Sequence, residues 1–359
     1  MIILSKKHIS ATLLALGLTI LLSCARDTGA KTPLVEANTI AQRLVQQAAA
    51  PSVNSPKFGQ PIDCTLGKDC FIFHYVDRDP SPTAVDFGCG RQTYNGHDGI
   101  DFGIPDEKTM AKGVAVTASA VGKVLRVRDG VVDRRLQNDT DKANIAGTEC
   151  GNGMVIDHGN GWEAQYCHLR QGSVVVKPGM QVEKGAKLGM VGTSGMTSFP
   201  HVHVTFRYQG KVVDPFVGPD AKQGCNTARN PIWDKPIDYI PTGLIRAGFA
   251  PKPPDMNAVW QGQFSETQLP ANSPALLFWV QSYGVLKGDR EQYQLFAPNG
   301  QIIATQTKEI QAPNRAWLGY IGKRNNTNSP FSPGVWRAEY RLMRGDRVLL
   351  EVKREAELR

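Results

Sequence analysis

Beyond Asp255 the chain has no histidine and no cysteine. A third of the protein therefore lacks the side chains that most often bind metal or move protons, and a binding or spacer role is the expectation there. The whole chain has only seven histidines and seven cysteines in 359 residues. No two cysteines stand at C-x-x-C spacing, which argues against a thiolate metal site. No stretch interleaves basic residues with aromatics, so nothing points to nucleic acid. The longest apolar run, Ala11 to Leu22, is too short for a spanning helix. Glycine (36) and proline (23) are frequent enough to leave little room for helices.

What is present begins with an export signal. Lys6 and Lys7 precede the apolar run, and Leu21-Leu22-Ser23-Cys24 resembles a bacterial lipobox. Residues 1–24 are thus expected to be a lipoprotein signal peptide with Cys24 lipidated; an ordinary signal peptide is the alternative. Residues 25–56 are polar and small-rich and read as a tether. The formal charge of +8 becomes mildly basic rather than strongly so when Lys6 and Lys7 are removed. Setting Cys24 aside, six cysteines remain, an even number that in an exported chain reads as three disulfides. Cys150 and Cys167 flank a hairpin turning at Gly159-Asn160-Gly161, which brings them near each other. Cys64 and Cys70 would close a small loop, leaving Cys89 with Cys225, although six cysteines allow fifteen connectivities.

From Lys57 to Cys225 short apolar stretches alternate with glycine-rich turns. Strands are expected at Phe71–Val76, Val114–Ala118, Gly122–Val127, in the hairpin over 153–168, around Val174 and Val182, and at His201–Phe206. The expectation is a compact antiparallel all-β domain over 57–224. The polar stretch Asp129–Gly147 reads as a solvated loop at its rim, because its acidic spacing does not fit a calcium loop. Residues 225–254 are proline-rich and read as a linker. Alternating strands resume over 255–359, at Leu276–Val280, Glu291–Phe296, Ala316–Tyr320, Gly334–Leu342 and Val348–Val352, with the rhythm of an immunoglobulin-like β-sandwich domain.

Two stretches carry chemistry. In His201-Val202-His203-Val204-Thr205-Phe206 polar and apolar residues alternate, so both imidazoles leave one face of a strand. A solvated or hydrogen-bonded histidine pair is the plain alternative to a metal site. In Gly96-His97-Asp98-Gly99-Ile100-Asp101, His97 and Asp101 stand on a tight turn running into a strand. With His203 they supply two imidazoles and a carboxylate with a fourth position open, the ligand pattern of catalytic zinc. Beside these lie Gly151-Asn152-Gly153-Met154-Val155-Ile156-Asp157-His158-Gly159, Tyr166-Cys167-His168-Leu169, Pro178-Gly179-Met180-Gln181-Val182 with Lys184-Gly185, Gly192-Thr193-Ser194-Gly195 and Pro200-His201-Val202-His203.

This ordered set, over roughly 85–217, resembles the lysostaphin-type (LytM-like) zinc metallopeptidases that cut peptide bonds of bacterial peptidoglycan. The resemblance implies one Zn2+ held by His97, Asp101 and His203, with His168 and His201 as unliganded catalytic histidines. It implies a DD-endopeptidase acting on peptidoglycan stem peptides. With the lipobox it implies a periplasmic protein, lipid-anchored to the outer membrane, cutting D-alanyl–diaminopimelate cross-links. Tyr94 is a further candidate, for oxyanion stabilisation; His158 and Asn152 read as structural, and His74 has no evident partner. Two other functions stay open: a non-cutting activator of a cell-wall amidase, as in relatives that have lost ligands, and a zinc peptidase acting on another extracellular peptide. The C-terminal domain is expected to meet an envelope partner.

Overall fold

The computed structural model describes residues 56–143, 145–326 and 330–359. The signal peptide, Cys24 and all but the last residue of the expected tether lie outside the described residues. Among the described residues no helix is long and apolar enough to cross a membrane.

The first half is built on ten strands: β1 (Phe71–His74), β2 (Ile100–Gly103), β3 (Ala115–Thr117), β4 (Gly122–Arg128), β5 (Asn152–Gly159), β6 (Trp162–Leu169), β7 (Gln181–Val182), β8 (Lys187–Met190), β9 (His201–Tyr208) and β10 (Lys211–Val213). Eight of them form one antiparallel sheet in the order β1-β2-β9-β6-β5-β4-β7, with β10 on β9; β3 and β8 pair separately. Period-two alternation decides its two faces. Val202, Val204 and Phe206 of β9 join Ile100 and Phe102 of β2 and Trp162, Ala164 and Tyr166 of β6 in one buried core. Each valine, isoleucine or phenylalanine among them contributes about 1.5–3 kcal/mol on burial. The opposite face of β2 and β9 is left to Asp101, His201 and His203. Asn160 and Gly161 turn the β5–β6 hairpin with positive φ at both residues, the condition for a tight two-residue turn.

The second half holds β11 (Gly243–Ala250), β12 (Gln268–Leu269), β13 (Ala275–Val285), β14 (Arg290–Phe296), β15 (Ile302–Glu309), β16 (Asn314–Arg324), β17 (Gly334–Arg344) and β18 (Arg347–Leu358). A three-stranded sheet, β11-β13-β16, and a five-stranded sheet, β12-β18-β17-β14-β15, share one core. Phe249, Phe278 and Ile321 come from the first sheet; Tyr293, Trp336 and Tyr340 come from the second. The fold is largely all-β and multi-sheet.

Three departures from the sequence expectation stand out. The stretch read as a linker, 225–254, contains β11, which pairs along β13 from Gly243 to Ala250. Around Val174 no strand forms; that segment reaches β8 through one backbone bond, Val175 N–H to Leu188 O at 3.0 Å. Short helices do occur: α1 (Glu107–Lys112), α2 (Asp139–Ala143) and α3 (Met256–Trp260). Helix α2 falls in the stretch expected to be a plain loop, which runs beside residues 193–197 through Arg134 N–H to Thr193 O and Leu136 N–H to Thr197 O.

The two halves meet beside β1. Phe71, Phe73 and Phe199 pack with Ile245, Trp260 and Tyr283 in a separate buried cluster. Asp106 caps α1 by accepting from Thr109 N–H at 2.7 Å, and its other oxygen pairs with Arg246 of β11 at 2.8 Å. Arg315 of β16 donates to Thr93 O at 2.5 Å. Residues 54–359 accordingly form one unit.

Candidate metal centre

The register of β2 on β9 places Asp101 opposite His203 and Gly103 opposite His201. Directly opposed residues share a sheet face, so Asp101 meets both histidines on the side away from the core. His97 comes in from the preceding turn. Asp101 Oδ1 lies 2.8 Å from His203 Nδ1 and 3.2 Å from His97 Nε2, and those two nitrogens are 3.1 Å apart. All three residues are buried. Atoms bound about 2.0–2.1 Å from a tetrahedral zinc ion stand about 3.3 Å apart, which matches this triangle.

The outer hydrogen bonds of the two rings explain why these atoms face inward. His97 Nδ1–H donates to Tyr75 O at 2.7 Å, leaving Nε2 as a lone pair. His203 Nε2 lies 3.2 Å from Asp98 Oδ1 and 2.9 Å from Thr205 Oγ1, leaving Nδ1 as a lone pair. Partners of this kind fix the tautomer of metal-binding imidazoles. Three acceptor atoms then converge on one point, and only a cation satisfies them. Zinc fits that donor set; a proton is the substitute. Burial pulls the His203 imidazole down, but hydrogen bonds and charge from Asp101 and Asp98 together outweigh it and push its pKa up to about 9. Burial likewise opposes ionisation of Asp101, yet the His97 and His201 charges and the histidine hydrogen bonds hold it well below the usual carboxylate range.

His201 and His168 stand beside this triangle. His201 Nδ1–H donates to Phe199 O at 2.9 Å, with Thr197 Oγ1 at 3.0 Å, and its ring stacks on Phe199 at 4.2 Å. Its Nε2 is 3.4 Å from Asp101 Oδ1. The His168 ring centre is 4.7 Å from that of His201, and its Nδ1–H donates to Ser194 O at 2.8 Å. Strict alternation would turn His168 into the core, because Cys167 is the residue opposite His203. A bulge re-aims it. Between Asn152 and Met154 of β5 the partner strand steps three residues, from Leu169 to Tyr166, and His168 adopts φ +66°. The Cys150–Cys167 disulfide and the bond from His168 N–H to Cys150 O, 2.8 Å, hold that kink. Burial, then the charges of His201 and His203, lower the His168 pKa well below the ordinary value, so its ring is neutral at pH 7.

All five residues singled out in the sequence are thus brought together, and the cysteines pair as 64–70, 89–225 and 150–167. Tyr94 sits at the edge, its ring 4.5 Å from His97 and 40% exposed. Burial and the charges of Asp101 and Asp98 raise its pKa, so it keeps its proton. His158 bonds Val121 O on the far side of the sheet from these groups. Asn152 is buried, donating to Val131 O and Leu169 O. Two participants had no clear signal. His74 lies against Asp101, its Nδ1 2.7 Å from Oδ2. Asp98 braces His203 and is itself held by Arg207 at 3.2 Å. Asp98 and His203 lie far apart in the sequence, so no local spacing hints at this; pairing of β2 with β9 brings them together.

Residues 95–215 match the profile described as Peptidase family M23. Among curated proteins, the chain is 33% identical over 123 residues to the DD-carboxypeptidase/endopeptidase Mpg of Neisseria meningitidis, covering 34% of this chain and 23% of that one. It is 29% identical over 118 residues to the peptidoglycan DD-endopeptidase ShyA of Vibrio cholerae, covering 33% of this chain and 22% of that one. The chain spans only about a fifth of the length of these relatives. A solved zinc-containing peptidase from Vibrio cholerae is 25% identical, with a TM-score of 0.26 over 40% of this chain and 38% of that one. Residues 95–215 are thus similar to Peptidase family M23, and the buried His–Asp–His triangle inside that stretch is a candidate zinc site.

Proposed function

We propose that this protein is a zinc endopeptidase that hydrolyses peptide cross-links of peptidoglycan. The observation that carries the proposal is the convergence of five groups: a three-atom triangle suited to zinc, and two imidazoles beside it. His97, Asp101 and His203 would hold the ion. When bound, zinc supplies Lewis acidity, acidifying water and polarising the scissile carbonyl. His168 and His201 each have Nδ1–H tied to a backbone carbonyl, which leaves Nε2 free to exchange a proton. The imidazole that takes the water's proton at Nε2 becomes the imidazolium that returns it to the leaving amine, and the second Nε2 stands close enough to share either step. Tyr94, still protonated and at the rim, is placed to donate to the carbonyl oxygen as it gains charge.

The relatives named above support peptidoglycan as the substrate class, and we extend this to a DD-endopeptidase. The finer assignments belong to the same proposal: a periplasmic lipoprotein anchored through Cys24 to the outer membrane, a catalytic domain ending near Cys225, and an immunoglobulin-like sandwich after it that meets an envelope partner. The two sheets packed over one core, β11-β13-β16 and β12-β18-β17-β14-β15, support the sandwich reading.

The test is muropeptide mass spectrometry of purified sacculi treated with protein lacking residues 1–24, with chelator and with chelator followed by zinc. Loss of cross-linked dimers and gain of monomers, abolished by chelator and returned by zinc, is expected. Intact cross-links in every lane would sink the endopeptidase, and an added amidase that gained activity would replace it with an activator.

A further inference from the structure

His74 precedes the M23-matched stretch and is no member of the five-residue set. Its position is nonetheless built. Between β1 and β2 the register runs Phe71 opposite Gly103 and Ile72 opposite Phe102, then skips so that His74 rather than Phe73 faces Asp101. One extra residue in β1 therefore delivers a histidine to the outer oxygen of a metal-ligand carboxylate. The ring is buried, with Phe73 edge-on at 4.5 Å, Tyr94 at 5.2 Å and Phe199 at 6.0 Å. Its Nδ1–H donates to Asp101 Oδ2 at 2.7 Å, while Oδ1 faces His97 and His203.

We propose that His74 is a positioning residue: by engaging Asp101 Oδ2 it restricts Asp101 to one oxygen on the ion and keeps the fourth coordination position open. A carboxylate binds metal through one oxygen or through both. With both it would fill the position that substrate or water needs in a three-ligand site. The carboxylate is otherwise free to swing about its own bond, since the groups on Oδ1 do not define the plane. Here the bond from His74 to Oδ2 fixes that plane while Oδ1 faces His97 and His203, and the bulge and aromatic packing fix His74. The inference rests on the zinc reading of the His–Asp–His triangle but not on the identity of the substrate.

The experiment compares wild type with His74→Phe, which keeps the ring and removes the donor, and His74→Asn, whose amide N–H takes the place of Nδ1–H. Zinc affinity is read by competition with a chromophoric chelator. The visible spectrum of the cobalt-substituted proteins reports coordination number. Circular dichroism checks that each variant folds. His74→Phe is expected to lose about 10–100-fold in zinc affinity and to show the weaker cobalt bands of a higher-coordinate ion. His74→Asn is expected to stay near wild type in both. His74→Phe binding zinc as tightly as wild type with an unchanged cobalt spectrum would overturn the proposal. So would equal losses in the two variants, which would assign the effect to ring packing. A wild-type protein that binds zinc and leaves sacculi intact would defeat the endopeptidase reading and leave the role of His74 standing.

Discussion

The Cys150–Cys167 disulfide offers a prediction in which stability and catalysis separate. It closes a loop of 17 residues. The chain-entropy relation makes a cross-link of that span worth about 3 kcal/mol. A drop of about 2–4 °C in Tm per kcal/mol then gives about 6–12 °C for Cys150→Ala/Cys167→Ala. The same relation gives about 2 kcal/mol for a six-residue separation and about 5 kcal/mol for one of 136, so losing Cys64–Cys70 should cost less and losing Cys89–Cys225 more. Only the 150–167 pair adjoins a histidine of the metal-centre cluster, His168. His168 holds φ +66°, a conformation that costs a residue of its type about 1–3 kcal/mol and persists only while its surroundings over-determine it. Removing the disulfide leaves two bonds to do so, His168 N–H to Cys150 O and Nδ1–H to Ser194 O. Relaxation of the kink would displace the imidazole, and a displacement on the order of 1 Å costs up to about 100-fold in rate. Scanning calorimetry without reductant and initial rates on a purified muropeptide dimer, taken well below the lower Tm, read the two effects. A Tm change under 2 °C would refute the entropy argument, and an unchanged kcat in a destabilised variant would refute the bracing of His168.

Three other perturbations probe the same geometry. At Gly99 an added Cβ would lie 2.5 Å from His203 Nε2 and 2.7 Å from Val204 O; Gly99→Ala should cost about 1–3 kcal/mol by overpacking and weaken zinc binding, and equal zinc affinity by chelator competition would contradict this. In zinc-free protein the gap between a His203 value of about 9 and the usual 6.5 is worth about 3 kcal/mol. Because the folded value is raised, that stability is complete below pH 6.5 and is lost as pH rises through about 9; urea melts of chelated protein at pH 6 and 9.5 should show the fall, zinc should flatten it, and a rise with pH would refute the proton's role. Trp260→Ala removes a ring 5.5 Å from Phe199, on which His201 stacks; about 3–5 kcal/mol of stability should go together with kcat, while zinc content stays, and full kcat in the folded variant would show that the second half does not support His201.

Much of the site was legible because one strand obeys strict alternation. His201 and His203 could be placed on one face from Val202, Val204 and Phe206 alone, and the glycines around His97 and Asp101 announced a turn rather than a helix. The second sheet pair was harder. Gly243–Ala250 lies between Pro241 and Pro251, and the prolines hide a clean stretch of nine residues that becomes β11 only by pairing with β13, some thirty positions away. Local composition carries no information about such a partner. Strand β15 was missed for a related reason: Ile302–Glu309 is a largely exposed edge, and a strand with no buried face has no hydrophobic alternation to read.

Two side chains of the metal centre, His168 and His74, point where strand parity would not send them, and they share one cause. Strand parity is a counting rule, and a bulge breaks the count by one. His168 and His74 each lie at such a break, one in β6 against β5 and one in β1 against β2. In both cases the irregular residue is a histidine, and in both the break turns it toward Asp101 and its neighbours. A regular sheet offers only every second residue of a strand to a given face. Gathering six ionisable side chains over one patch of four adjacent strands, β1, β2, β9 and β6, asks for more, so the sheet is interrupted where the chemistry needs an extra group. The interruptions are then secured from outside the matched stretch or by covalent means: the Cys150–Cys167 bond at β6, and at β1 the packing of Phe71 and Phe73 against Tyr283 and Trp260. By this argument the C-terminal half is a structural wall of the candidate metal centre, because the strand it clamps is the one that carries His74.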